Sequence, residues 1–223
     1  MQAILQAVEP LGNNVKTFWF RPEKQLDYTA GQFIELTLPH PNPDERGDRR
    51  WFTLSSSPND EYIAITTKHA ERPSSFKMAL FSLELGDSVT ISQAMGDFVL
   101  PKDKSIPLIY VIGGIGVTPA HSMLKWLQDV NQERTIEVLY AAKTDTDLIF
   151  NGTLEKSAKK IEYFISEPAD NSDNAAKALT VNDILKVTNN VTKPLVYLSG
   201  PEELVEVLVA ELKQNGVSGS RLV

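Results

Sequence analysis

The segment Leu108-Ile-Tyr-Val-Ile112 constrains this chain more than any other, because its apolar residues run without interruption into Gly113-Gly-Ile-Gly116 and then Val117-Thr-Pro119. A strand with one wet face alternates apolar and polar side chains. An unbroken apolar strand belongs to a parallel sheet covered on both faces. The glycines turn the chain, and Pro119 suits the first turn of a helix. Strand, turn and helix together announce a βαβ architecture.

The rest of the second half keeps that rhythm. Apolar spacing predicts helices over 119–130, 154–159, 181–187 and 202–214, alternating with strands over 136–141, 162–166 and 195–199. With the first strand, this gives a doubly wound parallel sheet. The stretch 169–178, carrying Asp170, Asn171, Asp173 and Asn174, is expected to be weakly ordered.

The first hundred residues follow a different rule. Val15-Lys-Thr-Phe-Trp-Phe20 is rich in β-branched and aromatic residues, and Phe33-Ile-Glu-Leu-Thr-Leu38 alternates. Strands are predicted over 15–20, 33–38, 51–55, 62–67 and 88–94, separated by turn signals such as Ala30-Gly31 and Leu85-Gly-Asp87. Short strands at this spacing predict an antiparallel barrel. Pro73-Ser-Ser75 before 76–81 predicts a short helix with a serine N-cap. The boundary is placed at 101–105, giving domains 1–101 and 105–223.

Composition narrows the chemistry. With 42% hydrophobic and 23% charged residues over 223 positions, the chain can fill a core. The net charge of −7 argues against nucleic acid as a partner. Cysteine is absent, which removes disulfides, thiolate catalysis, cysteinyl zinc and cysteine-ligated iron–sulfur clusters. No apolar run approaches the ~20 residues of a membrane span, and the N-terminus has neither the basic stretch nor the apolar core of a signal peptide. A cytoplasmic protein, or the cytosolic part of a larger one, is expected.

Three motifs could carry chemistry. Gly113-Gly-Ile-Gly116 lies between a strand and a helix, where glycines let a phosphate approach the backbone and a helix start supplies unpaired N–H groups; a turn needed only for strand-to-helix packing explains it too. Ser199-Gly200-Pro201 repeats that placement after the last strand, so both turns would face one crevice of the sheet. Arg49-Arg-Trp-Phe-Thr-Leu-Ser-Ser56 puts Arg50, Phe52 and Leu54 on one strand face and Trp51 and Thr53 on the other. A guanidinium clamps phosphate, a flat ring stacks and a hydroxyl bonds a heterocycle; an edge strand with a solubilising arginine is the plain alternative.

Together these residues resemble the ferredoxin–NAD(P) reductase-like flavoproteins. That family's Arg-x-Tyr-Ser segment stands here as Arg50-Trp51-Phe52-Thr53, and its Gly-Gly-x-Gly-x-Thr-Pro turn as Gly113 to Pro119. Its Cys-Gly-Pro turn appears as Ser199-Gly200-Pro201, and its Gly-Gln-Phe strand as Gly31-Gln32-Phe33. Gly86-Asp87 and Gly96-Asp97-Phe98-Val99-Leu100 match two further landmarks in the same order. The resemblance implies an FAD-binding antiparallel barrel followed by a Rossmann-like α/β domain that binds NAD(P)H.

Carried over by position, it implies that Arg50 neutralises the FAD pyrophosphate, Phe52 stacks on the isoalloxazine and Thr53 bonds near its N5 edge. Leu54 joins that FAD side, Thr67 and Lys68 lie near the adenosine half, and Ser74 and Ser75 hold the pyrophosphate or simply cap the short helix. Gly114, Gly116, Thr118, Gly200 and Pro201 shape the nicotinamide site, with Ser199 beside the reacting carbon where the family has cysteine. Thr53 and Ser199 are thus the candidate catalytic residues. The implied reaction is hydride transfer from NAD(P)H to FAD and onward electron delivery to a protein or small acceptor, for which the cofactors carry the chemistry.

Two further departures accompany the serine. The family's covering terminal aromatic would follow Ser220-Arg-Leu-Val223, and no ferredoxin-like module can exist without cysteine. A 2′-phosphate is held best by arginine; none occurs between Arg134 and Arg221. Lys143 could serve as a point charge, whereas Glu167, Asp170 and Asp173 would repel the phosphate, so NADH is favoured over NADPH.

The histidines His40, His69 and His121 show no metal-site spacing and are read as structural. Glu202 and Glu203 complement a helix N-terminus. Alternatives are a non-catalytic flavin- or nucleotide-binding subunit, the soluble reductase part of a membrane electron-transfer protein, and a flavin-free Rossmann dehydrogenase, which the barrel half disfavours.

Overall fold

The computed structural model describes residues 1–12, 14–169 and 176–223. Asp170, Asn171, Asp173 and Asn174 of the stretch expected to be weakly ordered therefore lie outside the described residues. The chain forms two compact units, Met1–Val99 and Leu100–Val223.

The first unit is a six-stranded antiparallel sheet of β1 (Gln2–Pro10), β2 (Val15–Pro22), β3 (Phe33–Thr37), β4 (Arg49–Thr53), β5 (Ile63–Lys68) and β6 (Ser88–Ile91), ordered β4-β3-β6-β1-β2-β5. Its two edges meet beyond the end of β4: Leu54 bridges Ile65, and the Ser55 N–H donates to the Ala64 carbonyl at 2.8 Å. The sheet thus closes on itself. Phe18 and Phe20 of β2 enclose one core with Ile34, Leu36, Phe52 and Leu54, each such side chain contributing about 1.5–3 kcal/mol on burial. The short helix α1 (Ser75–Phe81) seals it with Phe76 and Leu80, capped by the Ser74 hydroxyl, which accepts from the Lys77 N–H at 3.2 Å.

One strand is absent from the expectations above. β1 pairs with both β2 and β6 and so lies within the sheet. Its inward residues are Ala3 and Leu5, set among Gln2, Gln6 and Glu9, and neither alanine nor the polar neighbours signal a strand. The pairing also shifts register between Leu5 and Ala7, which breaks the period-two pattern.

The second unit holds the parallel strands β7 (Leu108–Gly113), β8 (Ile136–Ala142), β9 (Lys160–Ile165) and β10 (Leu195–Ser199), ordered β10-β7-β8-β9. Every residue of β7 is buried. Ile109 and Val111 pack with Ile184 and Val187 of α4 (Val181–Asn190) and with Leu208 and Leu212 of α5 (Glu202–Gln214). Tyr110, of opposite parity, donates its hydroxyl to Met123 Sδ on α2 (Val117–Asp129). That two-sided cover is why the run carries no polar residue. A further helix, α3 (Asn151–Ser157), starts earlier than its apolar residues suggest, after Phe150 takes a left-handed φ of 61°. Leu222 bridges Val196, and Val223 exchanges backbone hydrogen bonds with Val196 and Leu198 on the outer side of β10.

Candidate functional site

In the first unit the motif strand β4 delivers Arg50 into a half-buried polar cluster, not into solvent. Its Nη2 donates to both Asp44 carboxylate oxygens, at 2.8 and 3.0 Å. Its Nη1 meets the carbonyls of Arg46, Gly47 and Arg49 at 2.9, 3.0 and 2.7 Å. The guanidinium also lies 5.0 Å from the Phe76 ring centre. The loop between β3 and β4 thus wraps the arginine, and the Asp44 N–H is fixed in turn by the Ser75 hydroxyl, which also meets His40 Nε2 at 2.9 Å. Burial raises the Asp44 carboxyl, but hydrogen bonds from Arg50 and the Arg46 N–H, with both positive charges, outweigh it and hold the group below its ordinary range.

Lys77, on α1, completes the cluster. Its ammonium reaches the Thr67 hydroxyl and lies 5.1 Å from the Phe52 ring centre. Burial, and then the charges of Arg46 and Arg50, pull its pKa down to about 8. Phe52 is buried against Phe76, with ring centres 6.0 Å apart. Leu54 is wholly buried, its N–H donated to Gln32. Thr67 is buried, Lys68 exposed and Thr53 half-buried, while Trp51 is 70% exposed beside Phe33. Ser74 caps α1 and Ser75 anchors the loop. Arg50 and Ser75 thus meet through Asp44, Phe52 and Thr67 meet through Lys77, and the Phe76 ring joins the two groups, while Leu54 stays in the core.

In the second unit the site is backbone. The strand order reverses at β7, flanked by β10 on one side and β8 on the other, and in such sheets ligands bind outside the carboxyl ends of the strands at that point. Gly113-Gly-Ile-Gly116 and Ser199-Gly200-Pro201 end those two strands and press on one another. A Cβ on Gly116 would lie 2.4 Å from the Ser199 carbonyl oxygen, and one on Gly200 3.1 Å from Gly113 Cα. These glycines are required by close packing. Gly114 differs: its φ is +52° and a Cβ there would meet nothing within 4 Å. It is the position where the turn offers open space.

The Thr118 hydroxyl donates to the Ile115 carbonyl at 3.3 Å and fixes the turn. Tyr140, not singled out by any motif, donates its hydroxyl to the Gly114 carbonyl at 3.2 Å, and burial raises its pKa. Pro201 precedes α5, whose first turn carries Glu202 and Glu203. Lys143 is exposed and lies 3.3 Å from Glu167. Asp170 and Asp173, named with Glu167 as repelling a 2′-phosphate, lie outside the described residues. His40 packs on Phe76, His69 on Phe81 and His121 on Phe150. Among the described residues no helix is long and apolar enough to cross a membrane.

A closed antiparallel sheet with a cationic cluster, and a doubly wound sheet with paired glycine turns at its switch point, define a nucleotide-binding architecture. Residues 110–209 match the family described as the oxidoreductase NAD-binding domain. The propane 2-monooxygenase reductase component of Mycolicibacterium smegmatis is 22% identical, covering 96% of this chain and 63% of its own. The glycine betaine monooxygenase reductase subunit of Chromohalobacter salexigens is 28% identical over 91% of this chain and 57% of its own. The flavohem-like FAD/NAD-binding domain of nitric oxide dioxygenase from Vibrio cholerae superimposes with a TM-score of 0.81 at 20% identity, over 99% of this chain and 95% of that one. Residues 110–209 thus carry an oxidoreductase NAD-binding domain, the chain is similar over nearly its whole length to these reductases in sequence and to an FAD/NAD-binding domain in fold, and it spans about 60% of the length of the two reductase relatives.

Proposed function

We propose that this chain is an FAD-dependent NAD(P)H oxidoreductase that takes a hydride from the nicotinamide into FAD and passes electrons to a protein or small acceptor. Residues 1–101 bind FAD and residues 105–223 bind NAD(P)H. The observation that carries the reading is the pair of abutting glycine turns at the β7/β10 switch point, with Gly114 left open toward a ligand. The cationic cluster supports its FAD half: Arg50 pairs with Asp44, and Lys77 feels the charges of Arg46 and Arg50 without a carboxylate of its own among the described residues, an excess of positive charge that suits a pyrophosphate.

When bound, the two cofactors supply the redox chemistry, and the protein binds and orients them. Arg50, Ser74, Ser75, Thr67 and Lys68 hold the FAD phosphates and adenosine, and Phe52, Thr53 and Leu54 border its flavin. Gly114, Gly116, Thr118, Gly200 and Pro201 hold the nicotinamide cofactor, and Ser199 fills the space beside its reacting carbon. NADH is the favoured donor, because Lys143 pairs with Glu167 and the Thr144–Asp147 turn after β8 adds Asp145 and Asp147. An oxygenase or other electron acceptor is the proposed partner, by likeness to the monooxygenase reductase components, and a cytoplasmic location is proposed from the sequence.

An anaerobic titration of the FAD-loaded protein with NADH and then NADPH tests this. The flavin's visible bands should bleach at lower NADH than NADPH concentration. Flavin that stays oxidised with both would leave a non-catalytic flavin-binding subunit, the reading that Ser199 in the cysteine position favours. Whether the chain is instead the soluble reductase part of a membrane electron-transfer protein does not alter this chemistry.

A further inference from the structure

Lys77 matches no motif, yet it is a half-buried cation of the first unit whose pKa is lowered by burial and by the charges of two arginines. From its own helix, the Ser74 hydroxyl caps its N–H. From β5 it meets the Thr67 hydroxyl, and from β4 the Phe52 ring. Two further cations, Arg46 in the β3–β4 loop and Arg50 on β4, act on it by their charge. The nearby acid, Asp44, spends both its oxygens on Arg50, and His40 is taken by Leu38 and Ser75. No carboxylate pairs with Lys77 among the described residues. A half-buried ammonium beside two guanidiniums is costly unless an anion joins it.

We infer that Lys77 is a positioning and specificity residue for the phosphate of the bound flavin nucleotide, acting with Arg50 and the Thr67 hydroxyl and selecting phosphate-bearing flavins over riboflavin. The inference rests on the FAD-binding reading and adds to it a residue that the motifs do not contain. An incoming pyrophosphate supplies the negative charge that Asp44 cannot give to Lys77 and Arg50 together. Asp44 then acts as an internal stand-in on Arg50, which the phosphate displaces or shares.

Binding of FAD, riboflavin and ADP to the full chain, followed by quenching of flavin fluorescence or by calorimetry between pH 7 and 10, tests the inference. In wild-type protein, FAD binding should weaken as pH rises above about 8, because a bound anion favours the protonated amine. Lys77→Met should lose about 10- to 100-fold in affinity for FAD and ADP, keep riboflavin affinity and lose the pH dependence. Lys77→Arg should recover FAD affinity without the pH dependence, since arginine does not titrate there. Equal loss for FAD and riboflavin, or unchanged FAD affinity in Lys77→Met, would overturn the inference and leave Lys77 a packing residue. Failure of wild-type protein to bind FAD at all would instead sink the underlying reading, so the two failures are distinct.

Discussion

Arg46, Arg50, Lys77 and Asp44 make the candidate site of the antiparallel unit out of charged side chains, whereas Gly113, Gly114, Gly116 and Gly200 make that of the parallel unit out of bare backbone. The difference follows from the two sheets. A closed antiparallel sheet spends its backbone groups on its own ladders, so phosphate must be met by side chains brought in from a loop and a helix. A parallel sheet ends all its strands at one edge, where turns into helices leave N–H groups unpaired. A side-chain site can be tuned by charge and pH. A backbone site answers only to geometry.

The largest expected effect breaks the backbone side of that contrast. Gly116→Ala sets a Cβ at 2.4 Å from the Ser199 carbonyl oxygen, and neither partner is a flexible side-chain end. Denaturant unfolding should show a loss of about 3 kcal/mol; a variant as stable as wild type would mean the two turns do not abut.

Next comes the electrostatic side. In protein without cofactor, Lys77 titrates near 8 instead of its ordinary 10.5. The unfolded chain therefore binds more protons than the folded one between those values, and Lys77 makes stability rise with pH across that window. Lys77→Met should stabilise the cofactor-free protein by about 2 kcal/mol at pH 7 and flatten the rise. A flat wild-type profile from pH 8 to 10 would show that Lys77 is not strained.

Gly114→Ala sharpens the contrast from within one turn. The substitution meets no neighbour, so only its left-handed φ of +52° resists it, at a cost of about 1–2 kcal/mol. Its Cβ then points into the open space, and the dissociation constant for NADH should rise about tenfold. Smallest is Gly152→Ala, in α3 and also facing open space, which should raise stability by about 0.5–1 kcal/mol without moving any binding constant.

The same contrast explains what was legible beforehand. β10 and α5 are legible residue for residue because an apolar strand, Ser-Gly-Pro and an amphipathic helix are all local signals. The glycine turns are legible as strand-to-helix turns for the same reason, although whether packing or ligand approach needs each glycine depends on what lies across from it. β1 is not legible because Ala3 and Leu5 contribute little signal amid glutamines and a register shift.

The charged cluster was hidden for another reason. Asp44 and Arg46 lie in a segment that reads only as a turn, and it is the fold that brings them to Arg50 and, through Ser75, to α1. One local clue to Lys77 did exist. It occupies the first turn of a helix, after the Ser74 cap, where acidic residues are favoured and a cation is not. A residue that breaks a local rule without local compensation points to function.

The central claim is that FAD is held by side chains of the first unit and NAD(P)H by backbone of the second. Anaerobic stopped-flow reduction of the flavin, over a series of NADH concentrations and with FAD dissociation constants measured on the same preparations of wild type, Lys77→Met and Gly114→Ala, tests it most directly. Lys77→Met should weaken FAD alone, and Gly114→Ala should weaken NADH alone. Either variant shifting both constants by the same factor would contradict that division.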